Sequence, residues 1–423
     1  MRALPAAFAL VALSLAGEAA YAAIAHPAPV QENPSDLTPH VQPDATVTRP
    51  HVDAYELSGD TMYAGGVFRT VADAARTVTF ARTNLMAFSA STGVITPFAP
   101  ALDGPVNALE ISGDALYVGG DFTTVDGVSR ISLVKIDLTT GTVDETFNAN
   151  FAGGRVNDLE MVGNRLFVGG SASKKLMALN PATGANTGYL NLGISGKIEG
   201  SWGNTSVTRF AVNAQGTQLA AVGNFTTVSG RLRHRAFLAD LGETSATLNG
   251  WYYSPLTKPC RSTAAQRQAY LSDVDYSPDG SYFVVVSTGF IPRLESEIGE
   301  TICDAAARFD VDILAPYRPV WINYTGGDTI WSVSVTGAAV YVQGHFRWLD
   351  NPYGVNSAGP GAVTRRGVGA INPETGMALG WNPGSPAQIG GKALYPTPEG
   401  MWFGSDSLKF DREDHRGIAF APL

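Results

Sequence analysis

Apolar and polar positions alternate in short runs along most of this chain, and one run pattern returns seven times. Its core reads aliphatic-x-x-Leu-x-x-x-Gly-(Asp/Asn)-x-(Leu/Met)-(Tyr/Phe)-Val-Gly-Gly-x-Phe. An Arg follows, then an aliphatic run ending in Asp or Asn, then Thr-Gly. The clearest copy spans 106–141, with Gly113-Asp114, Tyr117-Val118-Gly119-Gly120-Asp121-Phe122 and Asp137…Thr140-Gly141. Alternation with period two is the signature of a strand with one buried face. Gly-Asp and Gly-Asn take positive φ cheaply, so each predicts a tight hairpin between two strands. The Asp-x-x-Thr-Gly endings predict a further turn. Gly-Gly inside a strand normally weakens it. Its recurrence predicts a backbone that passes close to a neighbour, with the following Phe packed between repeats.

The marker glycines Gly65, Gly119, Gly169, Gly223, Gly289, Gly344 and Gly404 lie 54, 50, 54, 66, 55 and 60 residues apart. Such a period is too long for a hexapeptide solenoid and fits a four-stranded propeller blade with a generous loop. The expectation is an all-β, seven-bladed β-propeller over residues 51–423. The third copy has Ser171-Ala172-Ser173 where the Phe belongs, and the fifth has Ser287-Thr288-Gly289 in place of Gly-Gly, so irregular blades are expected there. The last copy ends at Phe420-Ala421-Pro422-Leu423, with no room for a fourth strand. The stretch Ala45 to Arg49 is expected to supply it, so that N- and C-terminal strands close the ring and remove an exposed edge.

Ahead of the repeats, Arg2 and the apolar run Ala3 to Ala16 precede Ala20-Tyr21-Ala22, which fits the small-x-small rule for signal cleavage. The apolar run, roughly 14 residues, falls short of the ~20 that span a bilayer. Residues 1–22 are therefore read as a signal peptide, and the mature chain as secreted with no stable membrane span. Pro27, Pro29, Pro34, Pro39, Pro43 and Pro50 make residues 23–50 an extended tether.

Charge narrows the partners. The net charge is −9, charged residues are 16%, and no basic stripe occurs. Nucleic acid is an unsuitable partner, because phosphate binding needs a basic footprint. A monomer is expected. The two cysteines, Cys260 and Cys303, are expected to form a disulfide in an exported chain. At that loop size the bridge is worth roughly 3–4 kcal/mol. No C-x-x-C spacing points to a metal.

The string Tyr-Val-Gly-Gly-Asp-Phe-Thr-Thr-Val-Asp-Gly at Tyr117 to Gly127, echoed at Val222 to Gly230, resembles the delta-60 repeat family of secreted bacterial β-propellers. The stretches Asp273 to Gly280, Tyr324 to Asp328 and Ala358 to Val363 resemble an actinobacterial subgroup. The resemblance covers about residues 50 to 423. It implies a propeller outside the cytoplasm, and no catalytic residue carries over.

Signatures for acyl transfer, zinc hydrolysis, nucleotide binding and EF-hand calcium are missing. Two groups of residues offer chemistry. His345, Arg347 and Trp348 supply a proton carrier, a cation and a flat ring within four positions, and His345 stands where the second copy has Asp121. Asp328 follows Gly326-Gly327. Asp273 and Asp275 share one face of a strand, where paired carboxylates bind a cation or serve acid–base chemistry. The bland readings are a loop histidine bonded to a neighbouring turn and aspartates that cap turns. The expected function is a non-catalytic binding or scaffold module at the cell exterior, engaging a glycan or a protein. The alternative is an extracellular hydrolase or lyase with carboxylates at a channel mouth. No cofactor is indicated.

Overall fold

The computed structural model describes residues 24–149, 151, 153–260, 269–289, 291–292 and 294–423. The expected signal peptide lies outside them. Among the described residues the chain is all-β apart from two 3-10 turns, and no helix is long and apolar enough to cross a membrane. Its strands form seven main antiparallel sheets in chain order. Sheet 1 holds His51–Ser58, Thr61–Val67 and Leu85–Ser89. Sheet 2 holds Val106–Ser112, Ala115–Gly120 and Leu133–Asp137. Sheet 3 holds Val156–Val162, Arg165–Gly170 and Leu176–Leu179. Sheet 4 holds Ser206–Val212, Gln218–Asn224, Ala236–Leu241 and Ala246–Leu248. Sheet 5 holds Leu271–Tyr276, Tyr282–Ser287, Ala305–Asp310 and Trp321–Tyr324. Sheet 6 holds Thr329–Val335, Val340–His345 and Val368–Ile371. Sheet 7 holds Ala393–Thr397, Gly400–Gly404 and Ile418–Pro422.

The repeat chemistry explains each sheet. Gly113 has φ 59° and, with Asp114, joins Ser112 to Ala115 in a two-residue hairpin. A Cβ on Gly119 would stand 2.4 Å from Val156 Cγ1 of the next sheet, and one on Gly120 would stand 2.1 Å from the Pro105 carbonyl. Only glycine fits at these two close approaches, Gly119 against the first strand of the next sheet and Gly120 against the backbone that enters its own. Phe68, Phe122 and Phe225 are buried as the pattern predicts. An apolar cluster fills the space between each consecutive pair of sheets. One more joins the last sheet to the first, through Val52, Met62 and Phe88 against Ala393, Trp402 and Ile418. There the Phe88 and Trp402 rings lie 5.5 Å apart.

Two expectations need correction. The fifth repeat is not irregular: it builds one of the two four-stranded main sheets among the described residues. The Ser287 hydroxyl bonds Ala305 there, so a side chain takes over part of the ladder. The stretch Ala45 to Arg49 is turn, not strand. Asp44 Oδ1 accepts the N–H groups of Thr46 and Val47, each at 2.7 Å, and this local turn prevails over the β-branched pattern. The outer edge of sheet 7 is covered by an earlier segment. Gln31 N–H donates to the Pro422 carbonyl at 2.7 Å and Ser35 N–H to the Phe420 carbonyl at 2.8 Å. Val30 and Val41 are buried, and His40–Gln42 pairs with Thr70–Ala72. The extended N-terminal segment is thus packed along the sheets. Cys260 and Cys303 form the expected disulfide, with Cα atoms 5.8 Å apart.

Candidate functional site

The first strands of six main sheets each carry a β-bulge near their start, between Val52/Ala54, Val106/Ala108, Val156/Asp158, Val207/Arg209, Leu271/Asp273 and Ile330/Ser332. A bulge inserts one residue and re-aims its side chain. The inserted residues are Asp53, Asn107, Asn157, Thr208, Ser272 and Trp331, and all six line one cavity of about 590 Å³ at the end where these strands begin. Sheet 7 adds Lys392. Several bulge side chains reach the next sheet: Asn107 Nδ2 donates to the Val156 carbonyl at 2.8 Å, Asn157 Nδ2 to Val207 at 2.7 Å and Ser272 Oγ to Ile330 at 2.7 Å. Asp53 is buried between Lys392 Nζ at 3.7 Å and His51 Nε2 at 3.3 Å. Burial pushes its pKa up, but those cations outweigh burial and hold it below the usual carboxylate value.

Aromatic groups rim this vestibule. Trp202 is 87% exposed. Its loop is pinned, because its N–H donates to the Tyr270 hydroxyl at 2.6 Å and its carbonyl accepts from Asn224 Nδ2 at 3.3 Å. A flat apolar ring thus stands in solvent on a hydrogen-bonded loop, in a cavity that Tyr270 and Trp331 also line.

Below the vestibule, sharing Asp53, Asn107, Arg209 and Lys392 with it, runs a channel of about 380 Å³ lined by first-strand residues of every main sheet. Side chains at alternate positions place Glu56, Asp158, Glu160, Asp273 and Asp275 in it. The principal cation there is Arg209, which donates to the Asn157 carbonyl. Burial pushes Asp158 up to about 6, and Arg209 opposes it. Burial takes Asp273 and Asp275 to about 7. Glu110, buried beside Asp158, rises to about 8. Glu56 and Glu160 rise further, from burial and then the Glu110 charge.

These carboxylates are also fasteners. Asp158 accepts the Phe210 N–H at 2.8 Å, Glu160 that of Val212 at 3.1 Å, Asp273 that of Val333 at 2.9 Å and Asp275 that of Val335 at 2.7 Å. Adjacent first strands do not pair with one another, so N–H groups facing the channel need such acceptors.

The structure divides the sequence-predicted residues. Asp273 and Asp275 do share a face and line the channel. Asp328, Arg347 and Trp348 form a separate cluster, outside both cavities. Arg347 Nε and Nη2 clamp the Asp328 carboxylate at 2.8 and 2.9 Å, and the guanidinium stands 4.3 Å from the Trp348 ring centre. His345 is exposed and bonds the Ala387 carbonyl at 3.0 Å through Nδ1. Sequence reasoning missed Asp158, Glu160, Glu56, Glu110 and Arg209, together with the whole vestibule.

No protein-family model and no curated protein matches the chain. Among solved structures it is similar to the β-propeller domain of Cps50 (Swd1) from Myceliophteria thermophila, with a TM-score of 0.51 at 11% identity, over 88% of this chain and 97% of that one. The fold is that of a β-propeller. The computationally designed Ika8 protein gives a TM-score of 0.47 at 10% identity, over 91% of this chain and 98% of that one.

Proposed function

We propose that the seven main sheets are the blades of one closed ring, with sheet 7 against sheet 1 and the N-terminal segment as the clasp. In this reading the protein is an exported, monomeric member of the delta-60 type and acts as a non-catalytic binding module at the cell exterior. Its ligand is a glycan held in the vestibule. The observation that carries this reading is the exposed Trp202 ring on its pinned loop, above a floor of amides and paired charges. A sugar presents an apolar face to stack on such a ring and hydroxyls for the Asn204 amide and the Lys392 ammonium, which line the same cavity. The disulfide and the absence, among the described residues, of a helix able to span a membrane are compatible with export.

The test is titration of the protein with a panel of cell-wall and plant polysaccharide fragments, followed by tryptophan fluorescence and calorimetry. Trp202→Ala is expected to weaken binding at least ~10-fold, about 1.4 kcal/mol, without changing the melting temperature. Equal affinity of variant and parent, or no binding across the panel, removes the glycan reading in favour of a protein partner.

A second reading, a hydrolase or lyase, is favoured by one feature: Asp158 and Asp273 line the same channel as Arg209, and burial pushes them up to about 6 and 7 against its charge. Asp273→Asn separates the two. A binding module keeps its affinity, whereas an enzyme binds the saccharide and loses its turnover.

A further inference from the structure

The residue just before the third strand of a sheet occupies a repeated station. Asn84, Ser132, Arg235 and Asp304 all take it with positive φ, of 66°, 63°, 66° and 47°. In three sheets this residue donates to the carbonyls of the loop that enters the next sheet. Asn84 Nδ2 reaches Leu102 and Gly104 at 2.9 and 3.0 Å, Ser132 Oγ reaches Gly154 at 2.8 Å, and Arg235 Nη1 reaches Leu256. In sheet 6 the station is Gly367, where a Cβ would stand 2.0 Å from the Ser385 carbonyl. In these four sheets the station lies against carbonyl oxygens of the entering loop.

Sheet 5 puts an acceptor there. Asp304 is 1% exposed, and among the described residues neither carboxylate oxygen has a hydrogen-bond partner. The entering loop, residues 325–328, packs on it: Thr325 donates to the Asp304 carbonyl through N–H at 3.0 Å and Oγ1 at 3.1 Å. That loop brings a second carboxylate, Asp328, whose charge adds to burial in pushing Asp304 up to about 8. A buried, unbonded carboxylate that feels the charge of a second carboxylate is unstable without a compensating positive charge.

We propose that the Asp304 carboxylate, the loop 325–328 and the Asp328 carboxylate form a binding site for a hard divalent cation of the calcium type. The donors are all oxygen, which suits calcium and not zinc. Among the described residues no three His, Cys, Asp or Glu side chains gather into a metal cluster, so backbone oxygens complete the set, as calcium accepts. Because Asp328 also clamps Arg347 beside Trp348, the ion fixes that surface cluster from beneath.

The experiment measures melting of the chelator-treated protein with and without calcium chloride, and calcium stoichiometry by calorimetry. Asp304→Asn is the control, since an amide restores the donor that Asn84 supplies. The parent is expected to bind one calcium and to gain about 2 °C or more at saturation. The variant is expected to show neither response, and to be at least as stable as the parent in chelator. A parent that ignores calcium, or equal calcium stabilisation of parent and variant, overturns the site and leaves Asp304 as a protonated acid.

Discussion

In the channel, burial keeps protons on; at the clasp, it drives them off. Asp273 and Asp275 rise to about 7 because their charged forms lack water. His40, where the N-terminal segment meets sheet 7, falls to about 4 for the same reason. Its two ring nitrogens are committed to opposite tasks, Nδ1 accepting the Arg416 N–H at 3.1 Å and Nε2 donating to the Ala74 carbonyl at 3.1 Å. A second ring proton would meet a donor. His415, 6.2 Å away, is lowered by burial too. One physical cause thus makes acids weaker and bases weaker, and the two regions respond oppositely to pH.

The signs follow from linkage. The channel aspartates have raised folded pKa values, so their contribution is complete below their ordinary 3.8 and is lost as pH rises through about 7. His40 has a depressed value, so its contribution is complete above its ordinary 6.5 and is lost as pH falls toward 4. Between these limits the slopes oppose each other.

Removing residues 24–42 breaks the comparison most forcefully. It deletes the clasp, uncovers the edge strand Ile418–Pro422 and loses Val30 and Val41 from the core. Two buried valines and several backbone hydrogen bonds together predict a loss of about 5 kcal/mol or more. Circular dichroism should show a much lower melting temperature, and the bare edge should promote self-association on size exclusion. What remains should grow more stable as pH drops from 8 to 5, and the opposite trend would contradict the channel assignment.

The pair Asp273→Asn and Asp275→Asn sharpens the other side. Each amide oxygen still accepts the N–H of Val333 or Val335, while two titrations vanish. Denaturant midpoints between pH 5 and 7 should show a slope more favourable to high pH, by on the order of 2 kcal/mol per pH unit. An unchanged slope would place the raised values elsewhere. The smallest effect belongs to Arg76→Ala, which removes the 2.5 Å pair with Asp414 across the seam between sheets 1 and 7. Both partners are more than a third exposed, so less than about 1 kcal/mol is expected, shrinking further in high salt.

Sheets were legible because their signals are local: a hairpin glycine, an alternating run and a turn each act within a few residues. The clasp was half legible. The missing strand in the last repeat pointed to Ala45 to Arg49, but Asp44 and its flanking prolines turn that stretch aside, and it is residues 31–35 that bond the last strand. The channel was legible only in Asp273 and Asp275, which share one strand. Asp158 and Glu160 stand in the same alternation two repeats earlier, and Glu56 and Glu110 continue the column. Stacking the repeats by their first strands would have exposed all six, together with Arg209 in the same register. Local density misled in one place, since His345 sits near Arg347 in sequence but turns toward Ala387.

Covering the last sheet with the first residues also sets an order of events. Gln31 Nε2 donates to the Leu423 carbonyl, 392 positions away. During synthesis, sheet 1 emerges long before the strand that its neighbours complete, and its Val52–Phe88 face has no Trp402 to meet. Contacts of such span are slow to form. The pairing of residues 31–35 with residues 420–423 therefore waits for nearly four hundred intervening residues to be made.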